Sequence, residues 1–338
     1  MKEAMLYEKQ EDRVVKCNLC NHHCKIPPAK FGICHVRYNE NGILYSLVYG
    51  KIIAKHVDPI EKKPLFHFLP GSRSYSIGTV GCNFQCDFCQ NFEISQYPRL
   101  EGRVIGEETT PEEVVEAALA TASQTISYTY NEPTIFFEFA YDCARLATKK
   151  GLRNVFVSNG YMTTEALDTI HPYLHGANID LKAFREEFYR KHCKARLAPV
   201  LDTLKHLKKL GVWLEVTTLV IPGENDDPQE LRDIARFIRE ELGPETPWHV
   251  TRFYPRYQLL TRPATPVETL RTAYRIGKEE GLKYVYTGNV PGEEGENTYC
   301  WQCGALLIER YGFMVNTFRI TEKGACPECG TKIDGVWE

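Results

Sequence analysis

The sequence predicts an α/β protein, a run of parallel strands joined by helices, with a small cysteine-bearing module on either side. Three observations lead there. Residues 74–290 alternate short β-like runs with helical runs, and alternation over that length implies parallel strands with right-handed crossovers. Eleven of the 13 cysteines fall into three clusters with ligand spacing: one before this stretch, one at its start and one after it. At 338 residues the chain exceeds one small domain, against a prior of roughly 150 residues per domain. The expected division is a metal-binding module at 1–70, a central α/β unit at 71–292 and a second metal module at 293–338.

The strand candidates are 74–80, 125–130, 154–159, 177–183, 212–221, 248–254 and 283–288, most of them rich in Val, Ile, Tyr and Thr. Helices between them announce their starts. Thr110-Pro111-Glu112-Glu113 offers a cap, a first-turn proline and a capping-box glutamate, and Asp227 to Glu230 and Thr265 to Glu268 repeat the pattern. A doubly wound sheet and a TIM-like barrel both satisfy this alternation. Residues 289–299, rich in Gly, Pro and acidic side chains, read as a linker.

Composition narrows the function classes. The chain is 43% hydrophobic and 25% charged, as globular proteins are. Lys plus Arg is 41 and Asp plus Glu is 44, so the net charge is 41 − 44 = −3, which argues against nucleic-acid binding driven by net charge. No run of 18 apolar residues predicts a membrane span, and the charged N-terminus lacks a signal-peptide core. A cytoplasmic location is expected, where thiols stay reduced and clustered cysteines point to metal rather than disulfides.

The central cluster is Cys82, Cys86 and Cys89, in C-x3-C-x2-C spacing on a glycine-bearing loop after the first strand candidate. Thiolates suit iron–sulfur clusters and zinc. Three cysteines leave one iron of a [4Fe–4S] cube without a protein ligand, and an open position is where an external molecule binds and reacts. A structural zinc with a distant fourth ligand is the alternative.

With Phe88 before the last cysteine, this loop resembles the signature of radical S-adenosylmethionine (SAM) enzymes. The resemblance implies a partial (β/α)6 barrel, a [4Fe–4S] cluster on the three thiolates, and SAM chelated to the fourth iron. It also implies an electron donor such as flavodoxin or ferredoxin. Further segments resemble elements of glycyl-radical activases. Asn131-Glu132-Pro133 resembles a Gly-Gly-Glu-Pro element, which implies that Glu132 accepts from the SAM amino group; the two glycines are here Tyr130 and Asn131. Ser158-Asn159-Gly160 resembles an element that faces SAM, and Asp180-Leu181-Lys182 one that contacts its methionine moiety or ribose. Val220-Ile221-Pro222-Gly223 resembles a strand-end Val-Pro-Gly segment, and Tyr286 is placed by analogy near the SAM nucleoside. These residues all end strand candidates, where barrel active sites are built. Over nearly the whole chain, CNLCNHHCKIPPAKFGICHVR, SYTYNEPTIF and VYTGNVPGEEGENTYCWQCG are similar to the radical SAM component of the AmmeMemoRadiSam system, which implies AMMECR-like and Memo-like partners.

In the tail, Cys300, Cys303, Cys326 and Cys329 form two C-x2-C pairs, each followed by glycine. Paired knuckles suit a closed tetrahedral zinc site, with a rubredoxin-like iron as the alternative. The residues between them alternate enough for a hairpin. Nothing in the tail is densely basic, so a docking or structural module is expected. At the other end, Cys17, Cys20, Cys24 and Cys34 offer four thiolates in uneven spacing, with His22 and His23 expected as loop residues rather than ligands. Zinc is the expected occupant there and an auxiliary [4Fe–4S] cluster the alternative. Of the remaining cysteines, Cys143 reads as a core thiol. Cys193 is either a small buried thiol or a hydrogen donor or covalent site near the radical.

The expected activity is reductive cleavage of SAM to a 5′-deoxyadenosyl radical that abstracts hydrogen from a substrate. Glycyl-radical formation on a protein partner is the first candidate, and modification of a small molecule or peptide the second. A reading from another class is a non-catalytic, multi-zinc interaction scaffold.

Overall fold

The computed structural model describes residues 1–338. Its centre is an eight-stranded sheet: β1 (Ala54–Pro59), β2 (Arg73–Gly78), β3 (Thr125–Tyr128), β4 (Arg153–Ser158), β5 (Gly176–Asp180), β6 (Trp213–Val220), β7 (Trp248–Arg252) and β8 (Val285–Gly288). The strands follow one another across the sheet in chain order. β2 to β8 pair parallel, and only β1 runs antiparallel, at the edge beside β2. Sequential order decides between the two architectures that alternation left open. A doubly wound sheet reverses direction at a switch point, whereas this order is that of a singly wound barrel, here left open between β1 and β8.

Six principal helices fill the crossovers: α1 (Pro111–Ala120), α2 (Phe137–Lys149), α3 (Thr164–Ile170), α4 (Ala198–Lys209), α5 (Pro228–Phe237) and α6 (Val267–Glu279). The capping box at α1 is complete, with the Glu113 amide donating to Thr110 Oγ1 at 3.2 Å and the Thr110 amide to Glu113 Oε2 at 2.7 Å. At α5 only half of it forms. Asp227 Oδ1 accepts from the Gln229 and Glu230 amides, but Glu230 turns away to accept from Phe184 N and Arg185 Nε. At α6 the expected cap fails, because Thr265 Oγ1 is engaged between strands: it accepts from Phe253 N at 2.9 Å and donates to Val220 O at 2.6 Å.

The N-terminal residues are continuous with the central unit across the expected boundary at residue 70. The central sheet begins at Ala54, and buried Val15, Ile26, Val36 and Leu44 belong to the same apolar core as the strands. The N-terminal residues form two small antiparallel sheets. They are clamped to α2 by a buried two-pronged ion pair, Arg37 to Glu138, at 2.7 Å in both prongs. Such a pair fixes orientation, and losing one partner strands a charge in the core.

The tail packs Leu307, Ile308, Ile320 and Ile333 into a small apolar core with Phe66, Tyr284 and Tyr286 of the central unit. It folds as a three-stranded antiparallel sheet, Thr298–Tyr299, Leu306–Tyr311 and Met314–Phe318, so the expected hairpin forms and the supposed linker contributes a strand. Arg310 carries this module onto the central unit, donating to Thr298 Oγ1 at 2.8 Å and to Phe66 O at 2.7 Å. Around it lies a buried polar network of His67, Glu215, His249 and Tyr286, near the starts of β6, β7 and β8. The tail therefore closes the end of the barrel opposite the strand termini where chemistry is expected.

Candidate metal centre and cofactor cavity

The loop after β2 carries Cys82, Cys86 and Cys89. It leaves the strand through Gly81, which has φ +102° and no room for a side chain: an added Cβ would stand 2.7 Å from Val36 Cγ1. The loop is then strapped from both sides. The Gln85 and Asp87 amides donate to the carbonyls of Cys193 and His192 at 3.1 Å, and Asp87 O accepts from the Gln258 and Leu259 amides at 2.9 and 3.0 Å. Donors are aimed at the sulfurs: Phe84 N at Cys82 Sγ (3.4 Å) and Ser95 Oγ at Cys89 Sγ (3.2 Å).

These three cysteines share a cavity of about 220 Å³ with Phe88, Asn131, Asn159, Asp180 and Lys182. Lys182 Nζ donates to Asp180 Oδ2 at 2.7 Å and stands 5.9 Å over the Phe88 ring. Burial opposes its charge, yet Asp180, Cys86 and Cys193 together hold Lys182 well above the ordinary lysine range. The Asn159 amide nitrogen donates to Asn83 Oδ1 at 2.7 Å and points at Cys82 Sγ at 3.8 Å. Asn131 donates to the carbonyls of Thr79 and Gly81, which locks the start of the cysteine loop to the end of β3.

The residues fit a cluster with a bound amino-acid-like ligand. Burial pushes the Cys82 and Cys89 thiols up, so empty thiolates are unfavourable there and a cation must hold them ionised. The side-chain oxygens of Asn131 and Asn159 are buried without a partner. A buried carbonyl left unsatisfied costs free energy, so both are matched to a donor that arrives with a ligand, such as an ammonium or hydroxyl group.

Three expected cofactor contacts lie outside the cavity. Glu132 is completely buried and its carboxylate is already taken: it accepts from Thr134 N (3.0 Å), Thr134 Oγ1 (2.5 Å), Ser158 Oγ (2.8 Å) and Asn159 N (2.8 Å). It binds the end of β3 to that of β4 and orients Asn159, while Asn131 beside it lines the cavity. Ser158 is consumed in the same contact. Tyr286 lies in the polar network under the tail, hydrogen-bonded to His67 and Thr298.

Other lining residues had no signature of their own. Gln90, Asn91 and Ser95 follow the last cysteine, and Thr217 and Thr251 sit on inward positions of β6 and β7. The rule that sites gather at strand ends reaches the two threonines. Arg252 and Arg256 are occupied outside it, with Thr265 O and Glu93. Cys193 ends a π-helical turn beside Cys86 and is buried. The Cys86 thiol is drawn down chiefly by the Cys193 thiol, against burial, and next by Lys182. His192 before it bridges Asp87 Oδ2 and Glu224 Oε2, both at 2.9 Å.

A family model described as the radical SAM superfamily matches residues 76–238. The uncharacterized protein MJ0808 of Methanocaldococcus jannaschii is 50% identical over 337 residues, covering 99% of this chain and 100% of its own. The chain belongs to the radical SAM superfamily. Similarity extends to a pyruvate formate-lyase-activating enzyme of Listeria monocytogenes, 23% identical over 50% of this chain and 71% of its own. A radical SAM methyltransferase from Sphaerobacter thermophilus shares the fold, with TM-score 0.51 at 15% identity over 68% of this chain and 71% of that one.

The superfamily's mostly parallel α/β fold is thus present, and the tail cysteines are compatible with a metal module. No helix is long and apolar enough to cross a membrane.

Proposed function

We propose that this chain is a radical SAM enzyme whose [4Fe–4S] cluster is held by Cys82, Cys86 and Cys89. The observation that carries this reading is the convergence of three thiols, an Asp–Lys pair and two unpartnered amide oxygens on one cavity. When bound, the cluster supplies the electron that splits SAM into methionine and a 5′-deoxyadenosyl radical, which takes hydrogen from a substrate. The chain's own residues do the rest. Asn159, oriented by Glu132, and Asn131 accept from the ligand's donors. Asp180 accepts from its ammonium or ribose hydroxyls, and Lys182 offers a fixed positive charge to its carboxylate. Phe84, Phe88 and Leu219 line the same space and limit access of water.

The substrate reading favoured by the likeness to a pyruvate formate-lyase-activating enzyme is a protein partner on which a glycyl radical is formed. The sequence resemblance to the AmmeMemoRadiSam system supports AMMECR-like or Memo-like proteins as partners. The reading includes a flavodoxin or ferredoxin as electron donor, zinc in the tail, and a cytoplasmic location, the last supported by 13 free thiols. A scaffold bearing only zinc is disfavoured by the cavity itself, which a structural site does not need.

The test is spectroscopic. In the reduced, reconstituted protein, the electron paramagnetic resonance signal of the cluster at Cys82 is expected to change shape on adding SAM. An iron-loaded protein whose signal ignores SAM contradicts the reading.

A further inference from the structure

The N-terminal cysteines are not absorbed by that reading, and their geometry separates them from the tail. In the tail the four sulfurs all lie within 4.8 Å of one another, with Cys300–Cys329 and Cys303–Cys326 at 3.7 Å. Those are the edges of a tetrahedron around one ion: a zinc–sulfur bond of about 2.3 Å sets sulfurs about 3.8 Å apart. Nowhere else in the chain do three His, Cys, Asp or Glu ligand atoms come that close. On a [4Fe–4S] cube each thiolate has its own iron, so the sulfurs stand farther apart, at about 6 Å. Neither the trio Cys82, Cys86 and Cys89 nor any three of Cys17, Cys20, Cys24 and Cys34 bring all their sulfurs within 4.8 Å of one another.

The N-terminal four nevertheless converge. Cys17 N donates to Cys24 O at 2.9 Å, and Cys20 lies within electrostatic reach of Cys17, Cys24 and Cys34. All four pack against the main core. The neighbouring histidines are not available to close a smaller site: His22 Nε2 is bound to Asn83 O at 2.8 Å, and His23 Nδ1 faces Asn18 Oδ1 at 3.4 Å. The set also adjoins the first metal loop. The Cys34 carbonyl and Val36 press on Gly81, and Arg99 donates to Ile33 O at 2.7 Å with its charge reaching both Cys34 and Cys82.

We infer that Cys17, Cys20, Cys24 and Cys34 hold a second [4Fe–4S] cluster, not the zinc ion that their sequence suggests. Four thiolates satisfy all four irons, so this cluster has no open position for SAM. It adjoins the loop of the first at Gly81 and Asn83. The assignment is independent of SAM cleavage at Cys82, so the two fail separately.

The experiment is metal and sulfide analysis of protein purified anaerobically from cells supplied with both iron and zinc. In the Cys82→Ala/Cys86→Ala/Cys89→Ala variant, about four irons and four sulfides are expected to remain with about one zinc per chain. Two zincs and no iron, or no metal beyond the tail zinc, overturn the assignment. A second variant, Cys20→Ala/Cys24→Ala, guards against misassembly of the first. Its iron is expected to fall from about eight to about four with zinc unchanged. Iron steady at about four while zinc falls from two to one overturns it equally.

Discussion

The two terminal modules carry the same four ligand atoms and hold them differently. In the tail, each C-x2-C pair turns through a glycine of positive φ (Gly304 at +76°, Gly330 at +75°) whose amide donates back to the first cysteine's carbonyl at 2.9 Å. The knuckles bring their own sulfurs together, so the site is a property of the module. At the N-terminus the cysteines are spread over strands and loops fastened to the barrel, at Asn21–Tyr161 and Arg37–Glu138. The lesson is that cysteine count states capacity, whereas the elements carrying the cysteines decide the size of what is held.

The largest expected effect probes the self-contained site. Cys326→Ala is expected to release zinc and unfold the tail, since structural zinc contributes about 10 kcal/mol or more to such modules. Limited proteolysis should then remove the segment after residue 293 and leave the central unit intact. Loss of the whole chain instead would show that the tail is not separate from the barrel.

Next is the joint between tail and barrel. Arg310→Ala leaves Phe66 O, Thr298 Oγ1 and the buried Glu61 carboxylate without their cation. A cost of about 3–5 kcal/mol in urea denaturation is expected. Arg37→Ala should cost a similar amount at the other joint by stranding Glu138. A loss below 1 kcal/mol at either would mean that water replaces the pair.

A smaller effect is expected in the cavity. Lys182→Ala should raise the KM for SAM about 10- to 100-fold while the cluster still assembles, since a partly buried charge contact is lost. Iron content and KM, measured together, separate ligand binding from cluster assembly.

The smallest concerns pH. Burial raises the Glu224 carboxyl, but Arg262, His192 and Lys191 outweigh it and hold it at about 2 against an ordinary 4.5. A depressed carboxylate contributes stability that is present above pH 4.5 and lost as pH falls toward 2. Between pH 6 and 3 the Tm of the native chain should therefore fall more steeply than that of Arg262→Ala. Parallel curves would remove Glu224 from this account.

The seven parallel strands were legible because each is a short β-branched or aromatic run between caps and turns. The edge strand β1 was not: Ala-Lys-His-Val-Asp-Pro shows no alternation and is ordered by its partner β2. That Cys82, Cys86, Cys89, Asn131, Asn159, Asp180 and Lys182 line one cavity was legible from spacing and strand-end position. That Glu132 stands outside the cavity was not legible, because its partners, Ser158 and the Asn159 amide, lie across the sheet. Nor was the place of Tyr286, which is hydrogen-bonded to His67 and to Thr298 at the edge of the tail. The contacts of His192 with Asp87 and Glu224 span 105 and 32 residues, and no local pattern announces them.

The most direct measurement is anaerobic incubation of the reduced, cluster-loaded protein with SAM, followed by quantification of 5′-deoxyadenosine. The account predicts product from the native chain and a loss of at least about a thousandfold in Cys86→Ala, which lacks a ligand of the open cluster. Equal product from Cys86→Ala, or none from a native chain whose cluster signal responds to SAM and whose partner proteins are supplied, would contradict it.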